Sequence, residues 1–259
     1  WESVKKTFGY KLHLLVDSTW ELPLDYQVTP ASHSDLSVGE DMLERILCEE
    51  SVVWEKLETL RGDKGYDSEP FARRLVEAGV IPLIDIRKMW GDEPQRLFDA
   101  RRSQLYLQED GSLVCYCPTT GTRRTLINDG FEKGRMSQRK KCPALAYGQV
   151  CAGRDLCEIP SVLRIPVLSN PRRFPPYARD SYKWKRLYRE RTAVERVNSR
   201  LDSGLGLGDK KVRSSKKQEL FVVGGLLIMM GQAVVAARRF HEQEEKIEAK
   251  GLRSLRRAG

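Results

Sequence analysis

The run Leu57-Glu58-Thr59-Leu60-Arg61-Gly62-Asp63-Lys64-Gly65-Tyr66-Asp67-Ser68, followed by Glu69 to Ala78, Gly79 and then Val80-Ile81-Pro82-Leu83-Ile84-Asp85-Ile86, decides the fold class. Leu57 to Leu60 reads as a short strand that ends in the Arg61–Tyr66 turn. Ser68 to Ala78 reads as a helix with Phe71, Leu75 and Val76 on one side, and Gly79 suits the left-handed residue that closes such a helix. Val80 to Ile86 is the apolar run of a buried strand. Strand, helix, strand is a βαβ unit, so the two strands should be parallel and the class α/β. Asp63 stands where the first strand ends, and sites in open α/β sheets gather at the carboxyl ends of strands. A lone Asp there is also an ordinary turn or capping residue.

Upstream of this unit, Phe8 to Asp17 reads as a strand with Tyr10, Leu12, Leu14 and Val16 on one face. A break at Trp20–Pro23 leads to a second strand, Leu24 to Thr29, antiparallel to the first. A helix follows from Asp35 to Glu49, capped by Ser34 or Asp35. Residues 40–58 carry seven acidic and two basic side chains, a face unsuited to lying on DNA. Downstream, residues 87–176 are polar and contain Gly, Pro and Cys, with short β-like pieces at Leu105–Leu107 and Leu113–Cys117. They read as an insertion with its own small fold. Ser181 to Asp202 reads as one long helix, Gly204–Gly208 as a turn, and Leu220 to Ala237 as an apolar helix of 18 uncharged residues. The expected organisation is a core at 1–86, the Cys-containing insertion at 87–176, the C-terminal core helices at 177–237 and a charged tail at 238–259.

The chain has 259 residues, 45 Lys+Arg against 36 Asp+Glu, a formal net charge of +9 and 40% hydrophobic residues. That composition excludes a disordered tail, a collagen-like chain and an ordinary integral membrane protein. The basic balance favours a polyanionic partner, nucleic acid first. The apolar stretch at 220–237 is at the short end for spanning a bilayer. It reads as a buried core helix, with a tail anchor as the alternative, and no membrane partner is expected. No signal peptide is visible and six cysteines are too few for a disulfide scaffold, so a reducing, cytoplasmic setting is expected.

On the helix expected at 181–202, Tyr188, Arg191 and Glu195 are spaced i, i+3, i+7 and share one face. Leu187, Val194, Val197 and Leu201 form an adjacent apolar stripe, so Glu195 projects from the edge of the buried face. A carboxylate beside an Arg and a Tyr suits a rim site for a cation and a phosphate; a solvated amphipathic helix gives the same spacing. Residues 171–200 hold ten Lys/Arg and three acids. Lys183, Lys185, Arg186 and Arg196, interleaved with Tyr182, Trp184 and Tyr188, are candidate phosphate contacts. Lys210 and Lys211 belong to a second basic patch.

Several runs together carry a resemblance. Phe8-Gly9-Tyr10-Lys11-Leu12-His13-Leu14-Leu15-Val16-Asp17, Leu22-Pro23-Leu24, Val28-Thr29-Pro30-Ala31-Ser32-His33-Ser34-Asp35 and Gly62-Asp63-Lys64-Gly65-Tyr66-Asp67 resemble, in order, the catalytic domain of bacterial insertion-sequence transposases of the DDE type. Tyr188-x-x-Arg191-x-x-x-Glu195-Arg196 matches the Y-x2-R-x3-E part of their signature. The resemblance implies a ribonuclease-H-like fold, a mixed sheet flanked by helices. It also implies metal-dependent DNA strand cleavage and transfer at transposon ends. Asp63 and Glu195 match the family's second and third carboxylates, ligands of Mg2+ or Mn2+. Tyr188 and Arg191 match the residues that orient the DNA phosphate. His33 and Asp35 are candidates to support the site from behind. The implied partners are double-stranded DNA, at the ends and the target, and a second copy of the chain in the active form. The implied place is the nucleoid.

Two departures stand beside the match. The family's first catalytic Asp lies on a strand upstream of Phe8–Asp17, so the chain is expected to be the C-terminal portion of a transposase, missing that strand and inactive alone. Asp17 falls at a turn and does not replace it. Seven residues after the Glu, the family's Lys is here Asp202, leaving Lys210, Lys211 or Arg200 to supply that contact. Finally, Cys115, Cys117, Cys142, Cys151 and Cys157 cluster in the insertion. Thiolates in that number suit a tetrahedral structural Zn2+, though the spacing is not a double C-x2-C. Unliganded thiols and a redox role stay open. The alternative to the transposase reading is a non-catalytic, zinc-stabilised DNA-binding remnant.

Overall fold

The computed structural model describes residues 9–48, 55–91, 95–207 and 214–257, with side chains up to 240 apart from that of residue 48. In chain order the elements are β1 (Tyr10–Val16), β2 (Pro23–Pro30), α1 (Asp35–Cys48), β3 (Thr59–Gly62), α2 (Glu69–Glu77) and β4 (Ile81–Ile84). A β-rich stretch follows: β5 (Gln95–Leu97), β6 (Leu105–Gln108), β7 (Leu113–Tyr116), β8 (Arg123–Thr125), β9 (Ile127–Glu132), β10 (Ser137–Lys141), the short helix α3 (Pro143–Ala146) and β11 (Val162–Pro166). The chain ends in α4 (Tyr182–Tyr188), α5 (Thr192–Ser199) and α6 (Ser215–Arg257). The mixed α/β class expected from the sequence is what the chain has. It divides into two compact units, residues 1–34 with 192–259, and residues 35–191.

In the first unit β1 and β2 form an antiparallel hairpin, with Leu12 opposite Val28 and Leu14 opposite Tyr26. The alternation read from the sequence places Leu12, Leu14 and Val16 on one face. With Tyr26 and Val28 they pack against Val197, Leu201, Leu207 and, from α6, Val222, Leu226 and Met229. These three α6 residues are spaced i, i+4, i+7, one stripe of a helix. The expected buried core helix is buried along that stripe only: Leu220, Leu227, Ile228, Val234 and Val235 are exposed. The hairpin face is one layer and covers one side only. Ser215–Phe240 is long and apolar enough to cross a membrane by length and composition.

In the second unit the βαβ expectation holds. β3 and β4 are parallel, with Thr59 opposite Ile81 and Gly62 opposite Ile84. Ser68 caps α2 by accepting the Phe71 N–H, and Gly79 follows its end at φ +80°. Phe71 and Leu75 of α2 meet Leu43 of α1, Val80 and Ile84 in a buried cluster. Two antiparallel sheets, ordered β5-β6-β7-β8 and β11-β10-β9, make up the segment read as an insertion. Leu105, Leu113, Leu126, Ile159, Leu163, Ile165 and Phe174 form its own core.

Candidate active site

The parallel pair ends at Gly62, and the next residue, Asp63, is exposed at the carboxyl end of β3. Asp63 caps a single 3-10 turn, Lys64–Tyr66: its Oδ1 accepts the Gly65 N–H at 2.7 Å. That bond fixes the direction of the carboxylate. A side chain on Gly65 would put its Cβ 2.8 Å from Asp63 Oδ1 and 3.4 Å from Asp35 Oδ2, so it would push on the Asp63 carboxylate, and the two carboxylates flank the same point. Their joint field is felt by Tyr66, whose hydroxyl is pushed up to about 12 by burial first and then by the charges of Asp35 and Asp63.

The turn is anchored from the other side by Asp67. Its carboxylate accepts two bonds from Arg172, Nε at 2.8 Å and Nη2 at 2.6 Å, and the Arg87 N–H at 2.6 Å. The side chains are 1% and 14% exposed, so this is a buried, bidentate pair. Sequence reasoning missed it, because 105 positions separate the partners. Arg172 is held more firmly protonated than a free guanidinium, chiefly by its hydrogen bonds to Asp67.

The single helix expected over 181–202 is corrected to a run of segments. α4 gives way to a 3-10 turn at Arg189–Arg191, then α5, then a π-helical turn at Arg200–Gly204. A contact from far along the chain meets the first break. An unbroken α-helix would use the Leu187 carbonyl to accept the Arg191 N–H. Here Arg61 Nε, at the end of β3, donates to that carbonyl at 2.8 Å, and its guanidinium pairs with Glu190 at 2.5 Å. The same contacts bring α4 toward β3. Tyr188 stacks on buried Trp184, ring centroids 4.5 Å apart, with the Arg191 guanidinium 5.8 Å from its ring. Burial, then the charge of Asp85, with a smaller contribution from Asp63, raises the Tyr188 hydroxyl above its ordinary pKa. The signature tyrosine and the strand-end aspartate thus share one electrostatic neighbourhood. Glu195 lies in the first turn of α5, exposed, between buried Ala193 and Val197.

A family model for the transposase DDE domain matches residues 1–230. The chain belongs to the transposase DDE domain family. No curated protein and no solved structure matches it. The family's work is transposition-related cleavage of DNA, generally with divalent metal ions.

The basic residues of this transposase are not all alike. Lys183, Lys185 and Arg186 are exposed on α4, with Lys183 also 3.9 Å above the Tyr177 ring. Arg196 is engaged within its own unit, bonded to Glu21 and, at 2.7 Å, to Thr192 Oγ1; Arg200 joins the same Glu21 at 2.6 Å. Lys210 and Lys211 lie outside the described residues. His33 sits in the loop after β2, where its carbonyl accepts Lys11 Nζ at 3.2 Å. Asp35, expected to support the site, opens α1 and reaches Gly65 as described. Among the described residues no three His, Cys, Asp or Glu side chains stand ready-grouped to hold a metal ion.

Asp17 is a turn residue. Its Oδ1 accepts the N–H groups of Thr19 at 2.9 Å and Trp20 at 2.6 Å. Asp17→Ala is expected to cost about 1 kcal/mol of stability, the usual net worth of such bonds. In a chain joined to a strand that bears the family's first Asp, DNA cleavage should be unchanged. Urea denaturation and a plasmid-nicking assay check the two halves of this expectation.

The cysteines read as a cluster from the sequence come together in space. Cys115, Cys117, Cys142, Cys151 and Cys157 are free of disulfides and line one cavity of about 20 Å3. The Cys115 thiol is pushed up to about 11, first by burial and then by Cys142 and Cys157. Cys117 is lowered to about 6 by hydrogen bonds from the Thr120 side chain and the Thr120 and Thr119 amides.

Proposed function

We propose that this protein is the catalytic domain of an insertion-sequence transposase. It cleaves DNA at the element's ends and joins it to a target by phosphoryl transfer on a ribonuclease-H-like fold. The observation that carries the reading is Asp63: an exposed carboxylate, aimed by an amide bond, at the carboxyl end of a parallel strand, inside a family match of residues 1–230. Asp63 and Glu195 are hard oxygen donors of the kind Mg2+ or Mn2+ takes. The family's first Asp, from a strand that precedes Phe8–Asp17 in the family's order, completes the set. When bound there, the divalent ions supply activation of the attacking water or 3′-hydroxyl and stabilisation of the leaving oxygen.

The chain's own residues do the rest. Arg191 offers a planar fork to a phosphate, and Tyr188 positions it from the stacked pair with Trp184. Asp35 steadies the Asp63 turn across Gly65, and His33, two positions before Asp35 in the chain, is the second candidate for that supporting role. Lys183, Lys185 and Arg186, exposed on α4, with Lys210 and Lys211, neutralise the DNA backbone, while Arg196 is held by Glu21. The working form is a dimer on double-stranded DNA, in the nucleoid.

The test is a supercoiled plasmid carrying the coding frame with its flanking DNA. It is incubated with the chain joined to a strand that bears the family's first Asp. Nicks at the two junctions, dependent on Mg2+ or Mn2+, support the reading. Retarded DNA with no nick under any divalent ion would overturn it in favour of a DNA-binding remnant. A companion expectation concerns salt. Changing Lys183, Lys185 and Arg186 together to Gln should reduce the slope of log affinity against log salt by about 2 to 3, because each phosphate contact contributes about 0.9. Fluorescence anisotropy of a labelled duplex measures it.

A further inference from the structure

The five cysteines have no part in the transposase chemistry, and the inference drawn from them does not rest on it. They come from three separate places in the β-rich segment. Cys115 is in β7 and Cys117 directly follows it; Cys142 leads into α3; Cys151 and Cys157 lie between α3 and β11. All five line the same small cavity, and none is in a disulfide. A hole of this size admits one water-sized guest. Its walls carry soft sulfur donors, which select Zn2+ among the common divalent ions of a reducing compartment.

We propose that Cys115, Cys142, Cys151 and Cys157 bind one structural Zn2+ as a tetrahedral thiolate site. Cys115 lies within electrostatic reach of each of the other three. Cys117 stands apart from that set. Its sulfur packs against the Gly153 backbone, where a Cβ would come within 2.9 Å of it. Cys117 packs against the 151–153 turn, and the four named sulfurs are the ones placed within reach of one another. The four sulfurs line the cavity without forming a closed group. Each sulfur can move between staggered wells by rotation about one single bond, and the proposal includes that adjustment. Bound zinc would tie β7, the β10–α3 junction and the 151–157 loop at one point. The segment's own core is a small cluster around Leu105, Leu113 and Ile165. Structural zinc contributes directly to the folding of small units of this kind.

The experiment uses the whole 259-residue chain. Elemental analysis of the purified protein should find about one zinc per chain, as one tetrahedral site requires. Replacement by Co2+ should give the intense sulfur-to-metal absorption of a tetrahedral thiolate complex. Cys142→Ser and Cys157→Ser should lose bound zinc at least about tenfold, whereas Cys117→Ser should retain it. A second measurement guards against misfolded variants. In the unaltered chain, chelation by EDTA should raise the reactivity of four thiols toward a thiol reagent. Three results would overturn the proposal: a folded chain with no zinc and no Co2+ spectrum, iron in place of zinc, or a Cys117→Ser variant as depleted as Cys142→Ser. Nicking activity enters none of these readouts, so the two proposals fail separately.

Discussion

Asp63→Asn, in a chain that carries the family's first Asp, is expected to lower metal-dependent DNA nicking by about 10³-fold or more while duplex binding changes by less than about twofold. The substitution keeps the shape of the side chain and its bond from the Gly65 N–H. It removes one negative charge and one anionic oxygen donor at the carboxyl end of β3. Hard divalent cations bind amide oxygen far less well than carboxylate. Glu195→Gln should act alike. If, as proposed, both residues serve one metal centre, they act as a unit, and the double variant should be no slower than the worse single one. Single-turnover nicking in Mg2+ and in Mn2+ measures the loss. A Asp63→Asn variant that nicks at the parent rate would remove Asp63 from the chemistry.

The largest expected effect on stability lies at the clamp behind the same turn. Arg172→Met should destabilise the fold by about 3–5 kcal/mol, the usual consequence of leaving a buried charge without its partner. Asp67 would keep only the Arg87 amide, and its side chain is 1% exposed. At this size of unit the loss corresponds to a fall in Tm of about 6–20 °C. Arg172→Met combined with Asp67→Leu should recover most of it, since an apolar pair often substitutes for a buried ion pair at little cost. Urea and thermal denaturation report both. A single variant within about 0.5 kcal/mol of the parent would show that the clamp is not needed to hold the Asp63 turn.

The parts that were legible in the sequence are those set by local pattern. Phe71, Leu75 and Gly79 give the βαβ unit because its packing repeats at helical spacing and its end needs a left-handed residue. Leu12, Leu14 and Val16 give the hairpin face by simple alternation. Asp63 could be placed at a strand end from its neighbours alone. What stayed hidden depends on partners far along the chain. At the break at Arg189–Arg191, Arg61 donates to the Leu187 carbonyl from 126 positions away. Nothing in the helical pattern of residues 181–202 records that partner. The Asp67–Arg172 pair is invisible for the same reason, since any buried charge looks solvated until its partner is known. Composition alone also suggested that the 220–237 helix is a buried core helix. Only one stripe of it is covered, because coverage is a property of the neighbouring layer and not of the helix. The cysteines are an intermediate case. Their clustering in sequence was plain, but the shared cavity emerges only when β7, α3 and the loop before β11 are packed.

The most direct measurement of the central claim replaces Mg2+ by Fe2+ on the DNA-bound chain and lets ascorbate and peroxide cut the polypeptide beside the ion. The account predicts two cuts, one next to Asp63 and one next to Glu195, both suppressed by excess Mg2+. Cleavage near one of these residues with none near the other would contradict it.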